Sequence, residues 1–249
     1  MKKVFLFIQR WFFRLGLIFM VGSLGLVLLY RFVPVIITPL MVQRSVESLW
    51  GDRWVGINKD WVPLEEISPS ILRAVLKAED YRFFEHNGFD FEAIQKAMIY
   101  NKTHPGKKKG ASTISQQTAK NVFLWPRRDW LRKGLEAYFT VLIEFTWPKE
   151  RIMEVYLNVI ELGPGVYGVE AASQKYFKRS AKSVNSHQAS LIAAVLPNPR
   201  RYRIEKPSIY VMARQRRILR RVSPEMPKEN NTPLFDFLDL KFDSEDDVN

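Results

Sequence analysis

Lys77-Ala-Glu-Asp-Tyr-Arg-Phe-Phe-Glu-His-Asn-Gly-Phe-Asp90 closes an apolar helical run with two adjacent carboxylates, Glu79 and Asp80, then a histidine, His86, and a turn glycine, Gly88. Packing alone does not ask for that order of residues. A Glu-Asp pair is most often a solvated helix end. The sharper reading makes Glu79 a catalytic base, and the rest of the chain has to decide between them. The run before it has the marks of a helix. Ser68 suits an N-cap and Pro69 the first helical position, and Ile71, Leu72, Val75 and Leu76 recur at helical spacing.

Downstream, a helix is expected from Phe91 to about Tyr100, with apolar Phe91, Ile94, Ala97 and Met98. Residues 101–110 follow as a Pro/Gly-broken loop with four lysines and no acid, suited to loose attraction of phosphate. From Ser112 to Leu124 the helical pattern is unusually polar. Thr113, Gln117, Lys120 and Asn121 fall at i, i+4, i+7 and i+8, on one face. Such a face suits a cleft wall for hydroxylated, phosphorylated material, and a solvated surface is the plain alternative. The next helix, Asp129 to Phe145, sets Arg132 and Glu136 at i, i+4 spacing, where a surface salt bridge is the simplest account.

Further helices are expected from Pro148 to about Ile160, Val169 to Phe177, Ser186 to Leu196 and Ser208 to Val222. The last is strongly basic. Gly163-Pro-Gly-Val-Tyr-Gly168 reads as a glycine-broken turn without a phosphate-loop lysine. Hardly any strand-type alternation occurs. The expected fold class is mainly α, one domain of two lobes around a cleft.

The N-terminal end adds a membrane. Leu15 to Tyr30 is an uncharged run of 16 residues, about 24 Å of helix at ~1.5 Å per residue. Extending it from Trp11 to Val33, with Arg14 and Arg31 reaching the interfaces, brings it to the ~30 Å of a bilayer core. Lys2, Lys3, Arg10 and Arg14 place the N-terminus in the cytoplasm by the positive-inside rule. A cleaved signal peptide is the competing reading, disfavoured because no small-x-small site follows before Pro34. The expected layout is an anchor over residues 1–33, a juxtamembrane segment over 34–67, a catalytic domain over 68–223 and an acidic tail over 224–249. Within 34–67, Thr38-Pro39 opens a short amphipathic helix, and Trp50, Trp54 and Trp61 suit either core packing or lipid headgroups.

Of 249 residues none is cysteine, so disulfides, thiolate zinc and a cysteine nucleophile are excluded. His86, His104 and His187 are scattered, without the spacing of a zinc site. The net charge of +12 is uneven. Residues 224–249 carry eight acids against two lysines, a balance of −6, which leaves +18 on residues 1–223. So basic a body expects an anionic partner. With the body outside the cytoplasm, nucleic acid leaves the list.

Taken together, these stretches resemble a family. Ala78-Glu-Asp-x-x-Phe83-x-x-His86-x-Gly88-x-Asp90 is similar to the first signature of the peptidoglycan glycosyltransferases, which polymerise lipid II. Gly110-Ala-Ser-Thr-Ile-Ser-Gln-Gln-Thr-Ala-Lys-Asn121 resembles the second. Arg132-Lys-Gly-Leu-Glu-Ala137 resembles the third, Lys149-x-x-Ile-x-Glu-x-Tyr-Leu-Asn158 the fourth and Ala193-Ala-Val-Leu-Pro-Asn-Pro199 the fifth. The five stand in the family's order over roughly residues 60–210. Ala111 and Ile114 depart from the pattern, neither chemically. Penicillin-binding relatives add a transpeptidase domain marked by S-x-x-K and K-T-G. Both are absent here and the chain ends soon after, so the monofunctional biosynthetic type without transpeptidase activity is expected.

The resemblance implies a lysozyme-like helical fold with a membrane-associated lobe. It also implies transfer of a lipid-linked sugar onto a 4-hydroxyl, with inversion and release of undecaprenyl diphosphate. It assigns Glu79 as general base and Glu136 as a second essential acid. Lys120, Arg132 and Lys133 would meet the diphosphate, while Asp80, Phe83, His86, Thr113, Gln117 and Asn121 would line the acceptor and donor sites. No cofactor is required by it; Mg²⁺ or Mn²⁺ at the diphosphate, helped by Glu136, is an option. Expected partners are lipid II, the growing strand and the phospholipid membrane, with cell-division or penicillin-binding proteins as candidate associates. The expected location is the bacterial inner membrane, single-pass, with the catalytic domain periplasmic. A lysozyme or lytic enzyme and a non-enzymatic division scaffold are the rivals. Cleavage of a neutral glycosidic bond, however, leaves no diphosphate for the lysines to meet.

Overall fold

The computed structural model describes residues 2–50, 55–106, 108–127 and 129–222. Trp54, Lys107 and the acidic tail 224–249, all singled out above, lie outside the described residues. Helix α1 runs from Lys2 to Phe32, starting well before the uncharged run. Most of its apolar side chains are exposed, a pattern compatible with a membrane span. Its C-terminal half docks on the body. Ser23 Oγ meets the Tyr138 hydroxyl at 2.7 Å, and Trp147 Nε1 donates to the Val27 carbonyl at 2.8 Å. Arg151 donates to the carbonyls of Tyr30 at 2.8 Å and Val33 at 2.7 Å, capping the helix end with a cation.

Thr38 caps α2 (Pro39–Leu49) through the Met41 amide, as the Thr-Pro pair predicts. Trp61 lies between the Lys59 ammonium at 5.1 Å and the Arg151 guanidinium at 5.2 Å. Ser68 caps α3 (Pro69–Glu79), whose buried Ile71, Leu72, Val75 and Leu76 pack against α9 (Ser186–Val195) and α10 (Ile209–Val222). A second group packs α5 (Ile114–Phe123) against α6 (Trp130–Thr146) and α7 (Lys149–Val159). There Phe123 and Phe139 stack at 4.5 Å. Helix α8 (Val169–Phe177) completes the core beside α7.

Two details differ from expectation. The chain holds a small sheet in the order β1-β3-β2. Strand β1 (Asn58–Lys59) lies parallel to β3 (Val166–Tyr167), and β2 (Glu161–Gly163) antiparallel to it. The glycine-broken turn is thus a hairpin. Strands of two or three residues carry no period to read, and β1 pairs with a segment more than a hundred residues away. Glycine is required there: Gly168 has φ 82°, and a Cβ would lie 2.8 Å from the Asn158 carbonyl oxygen. The second difference is α4 (Phe91–Thr103). None of its residues is buried, and Phe91, Met98 and Ile99 are well exposed.

Candidate active site

Glu79 is the last residue of α3, and Asp80 ends the helix by returning its amide to Leu76. The apolar face of α3 fixes the helix, so the Glu79 carboxylate leaves it in one direction. One oxygen, Oε2, accepts from Gln117 Nε2 at 3.0 Å, and Oε1 faces Arg214 Nη2 at 3.2 Å. Gln117 is itself oriented, accepting from the Tyr156 hydroxyl at 3.3 Å. Burial pushes the Glu79 pKa above its ordinary value, while Gln117, Arg214 and Lys120 pull against that rise. A carboxylate so placed is a stronger base than one in water.

Asp80 and His86 do different work from Glu79. The Asp80 carboxylate accepts from His86 Nε2 at 3.0 and 3.1 Å and from the Ile114 amide at 2.9 Å. His86 Nδ1 accepts from the Gly88 amide at 3.2 Å, which assigns the ring proton to Nε2. Thr113 is the N-cap of α5, accepting from Gln116 and donating to the Gly88 carbonyl at 2.7 Å. Phe83 is fully buried, with the Lys149 ammonium 4.6 Å from its ring centre. Lys149 also donates to the His86 carbonyl at 2.5 Å. Asp80, Phe83, His86 and Thr113, expected to line the substrate sites, therefore do not line the cavity. Their polar atoms are satisfied internally and hold the 80–90 turn against α5.

The other expected residues converge. A cavity of about 370 Å³ is lined by Gln117, Lys120 and Asn121 from α5 and by Arg132, Lys133 and Glu136 from α6. The Arg132–Glu136 pair is no surface bridge. Arg132 Nη1 meets Glu136 Oε2 at 2.9 Å with both side chains nearly buried, and Lys133 holds the other oxygen, Oε1. Burial lowers the Lys120 pKa from its ordinary value. Glu136 opposes that shift, and Arg132 and Lys133 reinforce it. Arg132 Nε is buried with no hydrogen-bond partner among the described residues. Three cations around one carboxylate, with a donor left over, suit an anion. Glu79 does not itself line this cavity; it stands directly behind Gln117, which does.

Several site residues were not singled out from the sequence. Arg214 is one of five arginines on α10, and only the burial of its neighbours Val211, Gln215 and Ile218 shows which of them turns toward Glu79. Tyr156 reads as part of a buried stripe, although it lies in the fourth signature. Arg44 from α2 and Glu161 from β2 also reach the cavity wall. Nothing in their local sequence marks them. Both Glu136 oxygens are engaged, and no group of three His, Asp or Glu side chains gathers among the described residues.

Comparison with known proteins gives a consistent result. The family described as Transglycosylase matches residues 49–223. A Bdellovibrio bacteriovorus protein named "Biosynthetic peptidoglycan transglycosylase" is 76% identical over 240 residues, 96% of each chain. Proteins of the same name from Haemophilus influenzae and Escherichia coli are similar at 53% and 48% identity. They cover 82% and 88% of this chain and 83% and 91% of their own lengths.

Proposed function

Because the chain belongs to the transglycosylase family, we propose that it is a peptidoglycan transglycosylase that polymerises lipid-linked disaccharides into glycan strands. One observation carries the finer part of this reading. A buried carboxylate, Glu79, is bonded to Gln117 on the α5 wall of a cavity that also carries Lys120 from α5 and Arg132 and Lys133 from α6. That is what transfer from a lipid diphosphate needs. A sugar 4-hydroxyl is a poor nucleophile, so Glu79 takes its proton as the oxygen attacks the anomeric carbon. The bond from that carbon to the diphosphate oxygen breaks, and its electron pair leaves with the phosphate. Direct displacement inverts the centre and needs no second carboxylate as nucleophile.

Lys120, Arg132 and Lys133 stabilise the charge that grows on the leaving diphosphate. Glu136 holds Arg132 and Lys133 in place, a positioning role. No step here runs through a metal. The 29-residue apolar segment Val4–Phe32 is a candidate membrane span. We place its N-terminus in the cytoplasm, from Lys2, Lys3, Arg10 and Arg14, and the catalytic body on the periplasmic side of a bacterial inner membrane. There the substrate, lipid II, and the growing strand are both held at the lipid surface. The test offers purified full-length protein lipid-linked disaccharide-peptide and, separately, preformed strands. Polymer from the first and no fragments from the second are expected. Soluble fragments from the second would overturn the reading in favour of a lytic enzyme.

A further inference from the structure

Helix α10 turns two different faces to its surroundings. Val211, Gln215, Ile218 and Val222 are buried and pack it on α3 and α9. Arg214, beside them, reaches Glu79. On the outward side Ile209 is 88% and Tyr210 56% exposed, and Arg216, Arg217, Arg220 and Arg221 are exposed as well. Ile209, Ala213, Arg217 and Arg220 fall at i, i+4, i+8 and i+11, so apolar and basic residues share one stripe. The reaction proposed above uses none of these outward residues.

That stripe is unbalanced. The helix has no acid, and none of the four outward arginines makes an ion pair among the described residues. Arg216 with Arg220 and Arg217 with Arg221 are like charges at i, i+4 spacing, which costs a helix stability. The helix dipole accounts for Arg220 and Arg221 in the last turn, but not for Arg216 and Arg217 before them. A solvated face would account for the arginines alone. It does not call for Ile209 and Tyr210 in line with them. An acidic partner that also carries apolar side chains meets both halves of the stripe.

The chain itself supplies such a partner. Residues 233–243 set Phe235, Phe237, Leu240 and Phe242 among Asp236, Asp239 and Asp243, and Glu245, Asp246 and Asp247 follow. We propose that residues 233–247 dock on the outward face of α10, with their carboxylates on the four arginines and their apolar side chains toward Ile209 and Tyr210. The tether, residues 223–232, reaches about 33 Å at ~3.3 Å per residue. Helix α10 is about 21 Å long at ~1.5 Å per residue, so every part of the face is within reach. So short a tether gives the segment about millimolar effective concentration, and a weak contact suffices. Docking neutralises a basic face on the helix that carries Arg214, outside the cation-lined cavity. An anionic lipid surface would meet the same arginines, and the test separates the two.

The chain has no cysteine, so an introduced pair reports proximity without background. Full-length Ala213→Cys with Ser244→Cys, in phosphatidylcholine vesicles, is mildly oxidised and followed by gel mobility. Lys96→Cys with Ser244→Cys runs beside it, its first position exposed on α4. The expected result is an intramolecular disulfide that closes about tenfold faster for the α10 pair. Replacing the four arginines together by Gln, or Asp236, Asp239 and Asp243 by Asn, should remove that advantage, with thermal melting as the folding control. Adding phosphatidylglycerol to the vesicles should leave it unchanged. Equal closure of the two pairs, a disulfide-linked dimer in place of the closed monomer, or an advantage kept by well-folded charge variants would each overturn the proposal. So would closure lost in phosphatidylglycerol vesicles, which would give the face to lipid. The cysteine pair in the otherwise native chain decides the question even where a charge variant fails to fold.

Discussion

Replacing Glu79 by Gln separates chemistry from architecture at one atom. The amide keeps the shape, and its oxygen still accepts from Gln117 Nε2, now at 3.0 Å, a contact of about 1 kcal/mol. What is lost is the partly exposed charge pair with Arg214, about 1 kcal/mol at most. What is relieved is the burial of a carboxylate. Because the folded-state pKa of Glu79 is raised, this group favours folding fully below its unfolded pKa, and the contribution is lost as pH rises through the folded value. At neutral pH Glu79→Gln should therefore match wild-type stability to within about 1 kcal/mol. Removing a general base costs about 10²–10⁴ in rate, or about 2.7–5.4 kcal/mol of barrier. The assay is polymerisation of lipid-linked disaccharide at neutral pH, with melting and membrane recovery measured on the same samples. Residual activity within tenfold of wild type would refute the base assignment. So would a collapse in stability, which would make Glu79 a structural residue.

The other predictions concern its neighbours. Arg214→Leu removes the 3.2 Å contact that counters the burial of Glu79, so the acid side of the rate profile should move to higher pH with its plateau largely kept; a uniform drop at every pH would contradict this. Lys120→Met should lower kcat about 10²-fold or more while leaving the fold intact, since a buried cation is removed from the diphosphate side; an effect on KM alone would contradict the leaving-group role. Gly168→Ala should cost about 2–4 kcal/mol in denaturant unfolding, because φ 82° with ψ 155° is a glycine region and the new Cβ would press on the Asn158 backbone. A melting temperature equal to wild type would sink that account.

The helices were legible because their signals are local. The Ser68-Pro69 and Thr38-Pro39 starts and the apolar spacing of α3 and α7 each depend on neighbours within four residues. The sheet was not, because β1 finds its partner only after the helices have packed. The site divides in the same way. Gln117, Lys120, Arg132 and Glu136 share faces of α5 and α6, so their spacing brings them to one cavity. Signature membership did not distinguish those residues from Asp80, His86 and Thr113, which hold the turn instead, or from fully buried Phe83. Arg214 and Glu161 reach the site by tertiary packing from distant elements, and nothing local set them apart. The exposed apolar side of α4 shows a further limit. A periodic pattern marks a helix, and it does not say whether lipid, protein or water will meet its face.

The most direct test of the account is the pH dependence of polymerisation by the full-length protein. Transfer needs Glu79 ionised and Lys120 protonated. Burial raises the first pKa above its ordinary 4.5 and lowers the second below its ordinary 10.5. The predicted profile is a bell narrowed from both sides, with an acid limb above 4.5 that is absent from the residual activity of Glu79→Gln. An acid limb at or below 4.5, or the same limb persisting in Glu79→Gln, would contradict the claim that this buried carboxylate is the base.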